Sequence, residues 1–225
     1  KHALKWKLAN EKNIRLFHIF EHEWETKTDL VKSMLRSRVG KNTNKLMARK
    51  LSVRPIENDI AKVFMETNHV HGHIRADSSY GLFSDDFLVS VMTFVRSRFS
   101  KKHEWEMARF ASIKNTTIVG NGGKLFSAFV KDQSPNNVVS YSDLRWGMGQ
   151  SYSTFGFRFD GITKPNYFYW HKNERILHSR MKFQKHKLSK LLTSFDENKT
   201  EMENMIDEGY NVIYDCGNYR WIWTK

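Results

Sequence analysis

Cysteine occurs once in this 225-residue chain, at Cys216, which excludes an intrachain disulfide and a cysteine-based zinc site. A lone thiol fits a reducing compartment, so a cytoplasmic, soluble chain is expected. Proline is nearly missing, with 3 residues, and glycine is sparse at 12, while hydrophobic residues reach 40% and aromatics 14%. That composition excludes a disordered tail and describes a chain that buries a core. No apolar run approaches the roughly 20 residues that a membrane helix requires, so no membrane partner is expected. There is no repeat and no low-complexity tract. The opening Lys1-His2-Ala3-Leu4-Lys5 has neither an initiator Met nor a signal peptide. The expectation is a chain that begins inside a longer gene product.

Negative charge is the other shortage, since 24 Asp/Glu face 37 Lys/Arg for a net charge of +13. The imbalance is unevenly spread. Residues 1–56 hold 14 Lys/Arg against 5 acids and residues 171–192 hold 7 against 1, whereas residues 57–170 hold 13 against 11. Residues 193–225 are acidic, with 3 Lys/Arg against 7 acids. Two basic blocks around a near-neutral middle suggest phosphate-backbone binding, and double-stranded DNA is the expected partner. A generally basic surface is the plainer alternative.

Ile14–Phe20 alternates and reads as a strand, and a helix from about Thr26 to Gly40 carries Leu30, Val31, Met34 and Leu35 on one stripe. Its other face shows Lys32, Arg36 and Arg38, and the next loop adds Lys41, Lys45, Arg49 and Lys50. Leu46–Arg54 reads as a strand stopped by Pro55. A helix at 58–67 should bury Ile60, Ala61, Phe64 and Met65. A hairpin over Tyr80–Phe83 and Phe87–Val95 follows, then a strand at Trp105–Ile113 and a Gly120-Asn121-Gly122-Gly123 turn opening a helix. Val138–Tyr141 is the next strand, with a short helix at Gly149–Thr154. Phe157–Phe159 and Tyr167–Trp170 are expected to close the sheet. A basic helix at 175–192 would show Arg180, Lys182, Lys185 and Lys187 to DNA, and Arg96, Arg98, Lys101 and Lys102 form a second cluster. Thr200-x-x-Glu203 is a capping box for an acidic helix stopped by Gly209, and a last hairpin turns at Cys216-Gly217-Asn218. His69-x-His71-x-His73 has the alternation of a metal site, but Asn68 and Gly72 suggest a loop, and no metal is assigned to it.

The stretch 58–170 resembles the GNAT N-acyltransferases. The resemblance rests on the hairpin before Trp105–Ile113, on Gly120-x-Gly122 followed by Leu125, and on Tyr152-Ser153-Thr154-Phe155-Gly156-Phe157. It implies an α/β (α+β) fold with a mixed central sheet flanked by helices. It also implies that Gly120, Gly122 and Gly123 would cradle the pyrophosphate of acetyl-CoA, and that Tyr152 would protonate the departing thiolate. Free amides and a helix dipole suit a phosphate, and Gly lets the backbone approach. Thr117 departs from the pattern, standing where the family has Gln or Arg.

A second resemblance is to phage homing endonucleases with a very-short-patch-repair-like nuclease domain. It is carried by IRLFHIFEHEW (14–24), VKSMLRSRVGK (31–41), Ala48-Arg49-Lys50, Asn68-His69 with Gly72, VSVMTFVRSRF (89–99) and Ala108-Arg109-Phe110. SYSDLRW (140–146), Lys164-Pro165-Asn166-Tyr167, RMKFQKHKL (180–188) and the ending from Glu201 to Gly217-Asn218 extend it. It implies the DNA-binding, target-recognition part of a site-specific endonuclease in a bacterial host cytoplasm. Mg2+ would serve the full-length nuclease, and His2, Glu21 and Glu23 would be remnants of its catalytic core. The expected division is a nuclease remnant and basic linker at 1–45, a GNAT-like domain at 46–172, and a basic helix, acidic helix and hairpin at 173–225. An acetyl-CoA-dependent N-acyltransferase and a non-enzymatic phage DNA-binding protein are the alternatives.

Overall fold

Alternating and helical apolar periods sort this chain into twelve strands and seven α-helices among the described residues of the computed structural model, which are 1–97, 102–174 and 176–225. They form two compact units. The first comprises residues 1–26, 143–147 and 163–218, and the second 27–142, 148–162 and 219–225.

The chain starts in the first unit with α1 (His2–Glu11) and α2 (Glu21–Thr26), joined by a stretch without regular structure. The strand expected at Ile14–Phe20 is therefore absent. Alternation can be satisfied without a ladder when another partner takes the backbone. Here His18 N donates to Arg145 O, and the Phe20 ring is buried under the Arg145 guanidinium at 4.0 Å.

The second unit begins with α3 (Thr28–Arg38), which buries Leu30 and Val31, and Gly40 follows it at φ +69°. The single strand expected at Leu46–Arg54 is split into β1 (Asn44–Met47), a 3-10 turn at Ala48–Lys50 and β2 (Ser52–Pro55). Ala48 turns into the core, so the two halves join different sheets. Helix α4 (Asn58–Asn68) buries Ala61, Phe64 and Met65 as expected but leaves Ile60 exposed. The hairpin is β3 (Ser78–Ser84) and β4 (Phe87–Arg96), turning at Asp85 with φ +51°. Then come β5 (Trp105–Ser112), the unforeseen β6 (Thr116–Val119), α5 (Asn121–Gln133) and β7 (Asn137–Asp143). A 3-10 segment at Gln150–Phe155 leads into β8 (Arg158–Ile162).

Back in the first unit, β9 (Tyr167–Trp170) pairs antiparallel with β10 (Leu177–Ser179) on one side and β11 (Asn211–Tyr214) on the other. Tyr167–Trp170 thus builds a separate three-stranded sheet. Between β10 and β11 lie a 3-10 turn at Arg180–Phe183, the one-turn α6 (Lys185–Leu188) and α7 (Glu201–Asp207). The long basic helix expected at 175–192 does not form. Leu177 and His178 are paired with Trp170 and Tyr169, and the Ser179 side chain accepts from Met181 N, which ends the strand in a turn. Phe183 and Leu188 are buried, Ile176 and Met181 are exposed, and Arg175 lies outside the described residues. The capping box is present on α7, with Thr200 and Glu203 bonding reciprocally, and Gly209 takes φ +89° beyond it. The expected terminal hairpin is not one, because β11 pairs with β9 while β12 (Asn218–Thr224) pairs with β8 in the second unit's sheet.

That sheet runs β2-β3-β4-β5-β7-β12-β8. Its pairs from β2 to β5 are antiparallel, whereas β5 and β7 are parallel. It is a mixed sheet with a helix on each face. Met92, Phe94, Trp105 and Met107 pack with Leu125, Phe126 and Phe129 of α5, while Val91 and Ala111 pack with Ala61, Phe64 and Met65 of α4. Period-2 alternation sends these two sets to opposite faces. Phe94 and Phe129 stack at 3.6 Å, and Trp105 meets Phe129 edge-on at 5.2 Å. Burying each such ring stabilises the unit by about 1.5–3 kcal/mol relative to exposing it. No helix among the described residues is long and apolar enough to cross a membrane.

Candidate functional site

The parallel pair β5–β7 is short for the length of its strands. Pairing covers Trp105↔Val138, Glu106↔Val139 and Met107↔Ser140 and then stops, although β5 continues to Ser112 and β7 to Asp143. Ser140 Oγ closes the last rung, within hydrogen-bond distance of Met107 O (2.9 Å) and of the Tyr152 hydroxyl (3.0 Å). Beyond that rung the strands have no ladder between them. The Gln150–Phe155 segment lies over the place where they part. Its Phe155 meets Phe110 of β5 edge-on at 6.4 Å, and Tyr152 stacks on Trp221 at 5.4 Å. Burial raises the Tyr152 pKa, so its hydroxyl keeps its proton at neutral pH.

Phe155 also touches the first turn of α5. Gly120 caps that helix in the left-handed region at φ +81°, a conformation glycine adopts without penalty. Gly122 packs against the Phe155 ring, and a Cβ there would lie 2.4 Å from it. Gly123 faces open space, with nothing within 4 Å of its would-be Cβ. The first amides of any helix have no carbonyl within the helix to bond. In α5 Gly122 N is satisfied by Asn121 Oδ1, whose amide group also donates to Ser112 Oγ (2.8 Å). The loop is braced from outside: Lys124 Nζ donates to Ala48 O and Leu51 O, and Asn42 donates to Thr117 Oγ1. A one-turn array of amides beside open space fits a phosphate group.

On the opposite face of β5, towards α4, sit two charged side chains the sequence reading passed over. Glu106 is half-buried, and burial raises its pKa. Arg109 is half-buried too. It donates from Nε to Gly72 O (3.2 Å) and from Nη1 to Ala108 O (2.8 Å), and burial lowers its pKa. The signal available in the sequence was two charges inside the strand Trp105–Ser112, which is otherwise rich in apolar residues.

The residues expected to be nuclease remnants all lie in the first unit. Glu23 is buried with both oxygens used, by Arg145 Nη1 (2.9 Å) and Phe20 N (3.0 Å), so it is a structural anion. Glu21 is exposed at the start of α2, and His2 Nδ1 lies 2.6 Å from Tyr214 O. No group of three or more His, Cys, Asp or Glu that could hold a metal occurs among the described residues. His69, His71 and His73 lie in a loop beyond α4, where His71 N bonds His69 Nδ1 and His73 N bonds Glu66 Oε1.

The expected DNA contacts fall in both units, and several are engaged within their own. Lys32, Arg36 and Arg38 are exposed on α3, with Arg36 bonded to Asn115, and Lys41, Lys45, Arg49 and Lys50 are exposed around β1. Arg96 pairs with Glu104 at 2.8 Å and lies over Trp105, Lys102 is exposed, and Arg98 and Lys101 lie outside the described residues. Arg180 sits over Tyr167, Lys182 lies beside His178, Lys187 donates to Met181 O, and Lys185 is exposed.

No family model matches the chain, and no curated protein matches it. The solved structures that resemble it include acetyltransferases. One is the Bacillus subtilis acetyltransferase in complex with CoA, at 13% identity and TM-score 0.40. Another is an IAA acetyltransferase from Bacillus cereus, at 16% identity and TM-score 0.44. A third is a GNAT family acetyltransferase from Elizabethkingia anophelis with acetyl-CoA bound, at 9% identity and TM-score 0.39. Each match covers 78% of this chain and 99% of the other. The fold is GNAT-like. That assignment stands on the mixed sheet, its helices on both faces, the parallel β5–β7 pair and the glycine turn. No family model and no curated protein supports the homing-endonuclease resemblance, and it is withdrawn together with the nuclease activity, the Mg2+ and the duplex-DNA partner it implied. The physical reasons are the buried ion pair of Glu23, the missing basic helix and the engagement of several of the expected cations. Charge totals count residues without regard to what neutralises them.

Proposed function

We propose that this chain is an N-acyltransferase that takes its acyl group from coenzyme A. The observation that supports this best is the parting of β5 and β7 beyond Met107 and Ser140, beside a glycine-built helix start. Gly120, Gly122 and Gly123 would hold the pyrophosphate through the first-turn amides of α5, with Asn121 fixing the loop. A bound acyl thioester supplies an activated carbonyl, whose transfer to an amine forms a C–N bond and releases a thiol. Two of the similar structures hold CoA or acetyl-CoA.

Glu106 would take a proton from the incoming ammonium, since an amine attacks only when neutral. A carboxylate with a raised pKa is a better base than an ordinary one. Tyr152 holds a proton at its hydroxyl beside the last paired rung and would give it to the departing sulfur. The test is release of free thiol from acetyl-CoA by the purified chain, in the presence of a panel of primary amines. Release that depends on the amine and is lost in Glu106→Gln supports the assignment, whereas no amine-dependent release at any pH from 6 to 9 refutes it.

A further inference from the structure

Glu106 and Arg109 share one face of the sheet although they are three residues apart. A strand would place such residues on opposite faces. The register shift between Thr93 and Phe94, where Thr93 faces Arg109 and Phe94 faces Met107, adds a residue to β5 and restores the two charges to the same side. This is a bulge re-aiming a side chain. Trp105 and Met107 point to the α5 core and Ala111 to the α4 core, which fixes Glu106 and Arg109 on the α4 face.

The two opposite charges nevertheless do not pair. No carboxylate lies within ion-pair distance of Arg109 among the described residues, and Glu106 has no hydrogen-bond partner there. The guanidinium is held in place by two carbonyl oxygens, Gly72 O and Ala108 O, which fix its orientation without neutralising it. Thr93 faces it on β4 and Ser79 faces Thr93 on β3, and the hydroxyls of both are buried without a partner. Two buried hydroxyls without a partner, in one cross-strand row with a half-buried guanidinium that has no carboxylate against it, cost stability, and such a cost is retained where something else completes the set.

We infer that this face is the acceptor subsite and that it takes an amine which also carries a carboxylate. The inference rests on the acyltransferase reading. The carboxylate meets the planar fork of Arg109, which matches its geometry, and the ammonium faces Glu106. Each charge of the site is thereby neutralised by one of the substrate. A plain amine would leave Arg109 unpaired in a partly desolvated place, and selectivity against a substrate that strands a buried charge is large. In the transfer itself the ammonium gives one proton to Glu106, and the C–N bond forms as the C–S bond breaks. The sulfur takes a proton from Tyr152 and leaves as a thiol, and the second proton of the attacking nitrogen replaces the one Tyr152 gave up, so that one proton is released overall when Glu106 returns it to solvent.

The experiment compares matched pairs as acceptors with acetyl-CoA: phenylalanine with phenethylamine, leucine with 3-methylbutylamine, and lysine with 1,5-diaminopentane. Free thiol is the readout, and the melting temperature with and without CoA is measured in parallel. The wild-type chain should prefer the amino acid of each pair by on the order of 100-fold in kcat/KM. R109Q should bring that ratio to within about 5-fold, and R109K should restore part of it. Equal use of both members by the wild type, or an unchanged ratio in R109Q, overturns the inference while leaving the acyltransferase reading intact. CoA stabilisation without turnover of any amino acid also overturns it. Absence of both stabilisation and thiol release defeats the acyltransferase reading and the inference with it.

Discussion

Gly122 and Phe155 are packed so closely that no side chain fits between them: a Cβ on Gly122 would lie 2.4 Å from Phe155 Cζ. The pair ties the α5 helix start to the segment over the parting strands, and Phe155 meets Phe110 of β5 as well. Gly122→Val should therefore destabilise the second unit by about 1–3 kcal/mol, the usual cost of overpacking. Adding Phe155→Ala should recover part of that loss in a urea melt. Additive losses in the double variant would show that the two residues do not press on each other.

Arg145 is 1% exposed, and its guanidinium pairs with Glu23 (2.9 Å) and Asp143 (2.8 Å) in the first unit. Removing one partner of a buried pair leaves an uncompensated charge. Arg145→Leu should cost about 3–5 kcal/mol, read as a lowered urea midpoint. Arg145→Leu combined with Glu23→Leu should be less damaging than the first change alone.

Cys216 is buried, and burial together with the nearby Asp143 carboxylate raises its thiol to about 11. The reactive species is the thiolate. At pH 8 the native chain should react with a thiol reagent far more slowly than the urea-unfolded chain, with the native rate climbing only as the pH approaches 11. Equal rates at pH 8 would place the thiol at the surface.

The Thr200–Glu203 capping box was legible because its spacing has one mechanical meaning, and both reciprocal bonds are present. The hairpin β3–β4, α4 and the glycine turn were legible for the same reason: each is fixed by residues within a dozen positions. Elements whose fate depends on distant partners were not. The Arg180–Leu188 stretch has helical apolar spacing, but pairing of Leu177–Ser179 with β9 overrides it. The end of the chain has a turn signal at Gly217, yet Asn218–Thr224 pairs with Arg158–Ile162, some sixty residues back. At the candidate site the glycines and Tyr152 were visible as a pattern. Glu106 and Arg109 were not, because their common face depends on a bulge that no local residue announces.

Glu106 carries the pH dependence of the account. Burial raises its pKa, so the carboxylate that accepts a proton is populated only above a pKa higher than an ordinary glutamate's. Activity should rise with pH through that value. The stability sign is the opposite: a raised native pKa stabilises the fold at low pH and loses that contribution as pH rises through it. Glu106→Gln should flatten the acidic limb of the rate profile and lower kcat more than it raises KM.

Calorimetric titration of the chain with coenzyme A tests the central claim most directly. The account predicts saturable one-to-one binding that is lost in Gly123→Asp, which sets a negative side chain in the open space before the α5 amides. A melting curve raised by CoA should accompany it, by about 2.7 kcal/mol of stability at 100 times the dissociation constant. No heat and no stabilisation at millimolar CoA, with the wild-type chain folded, would contradict it.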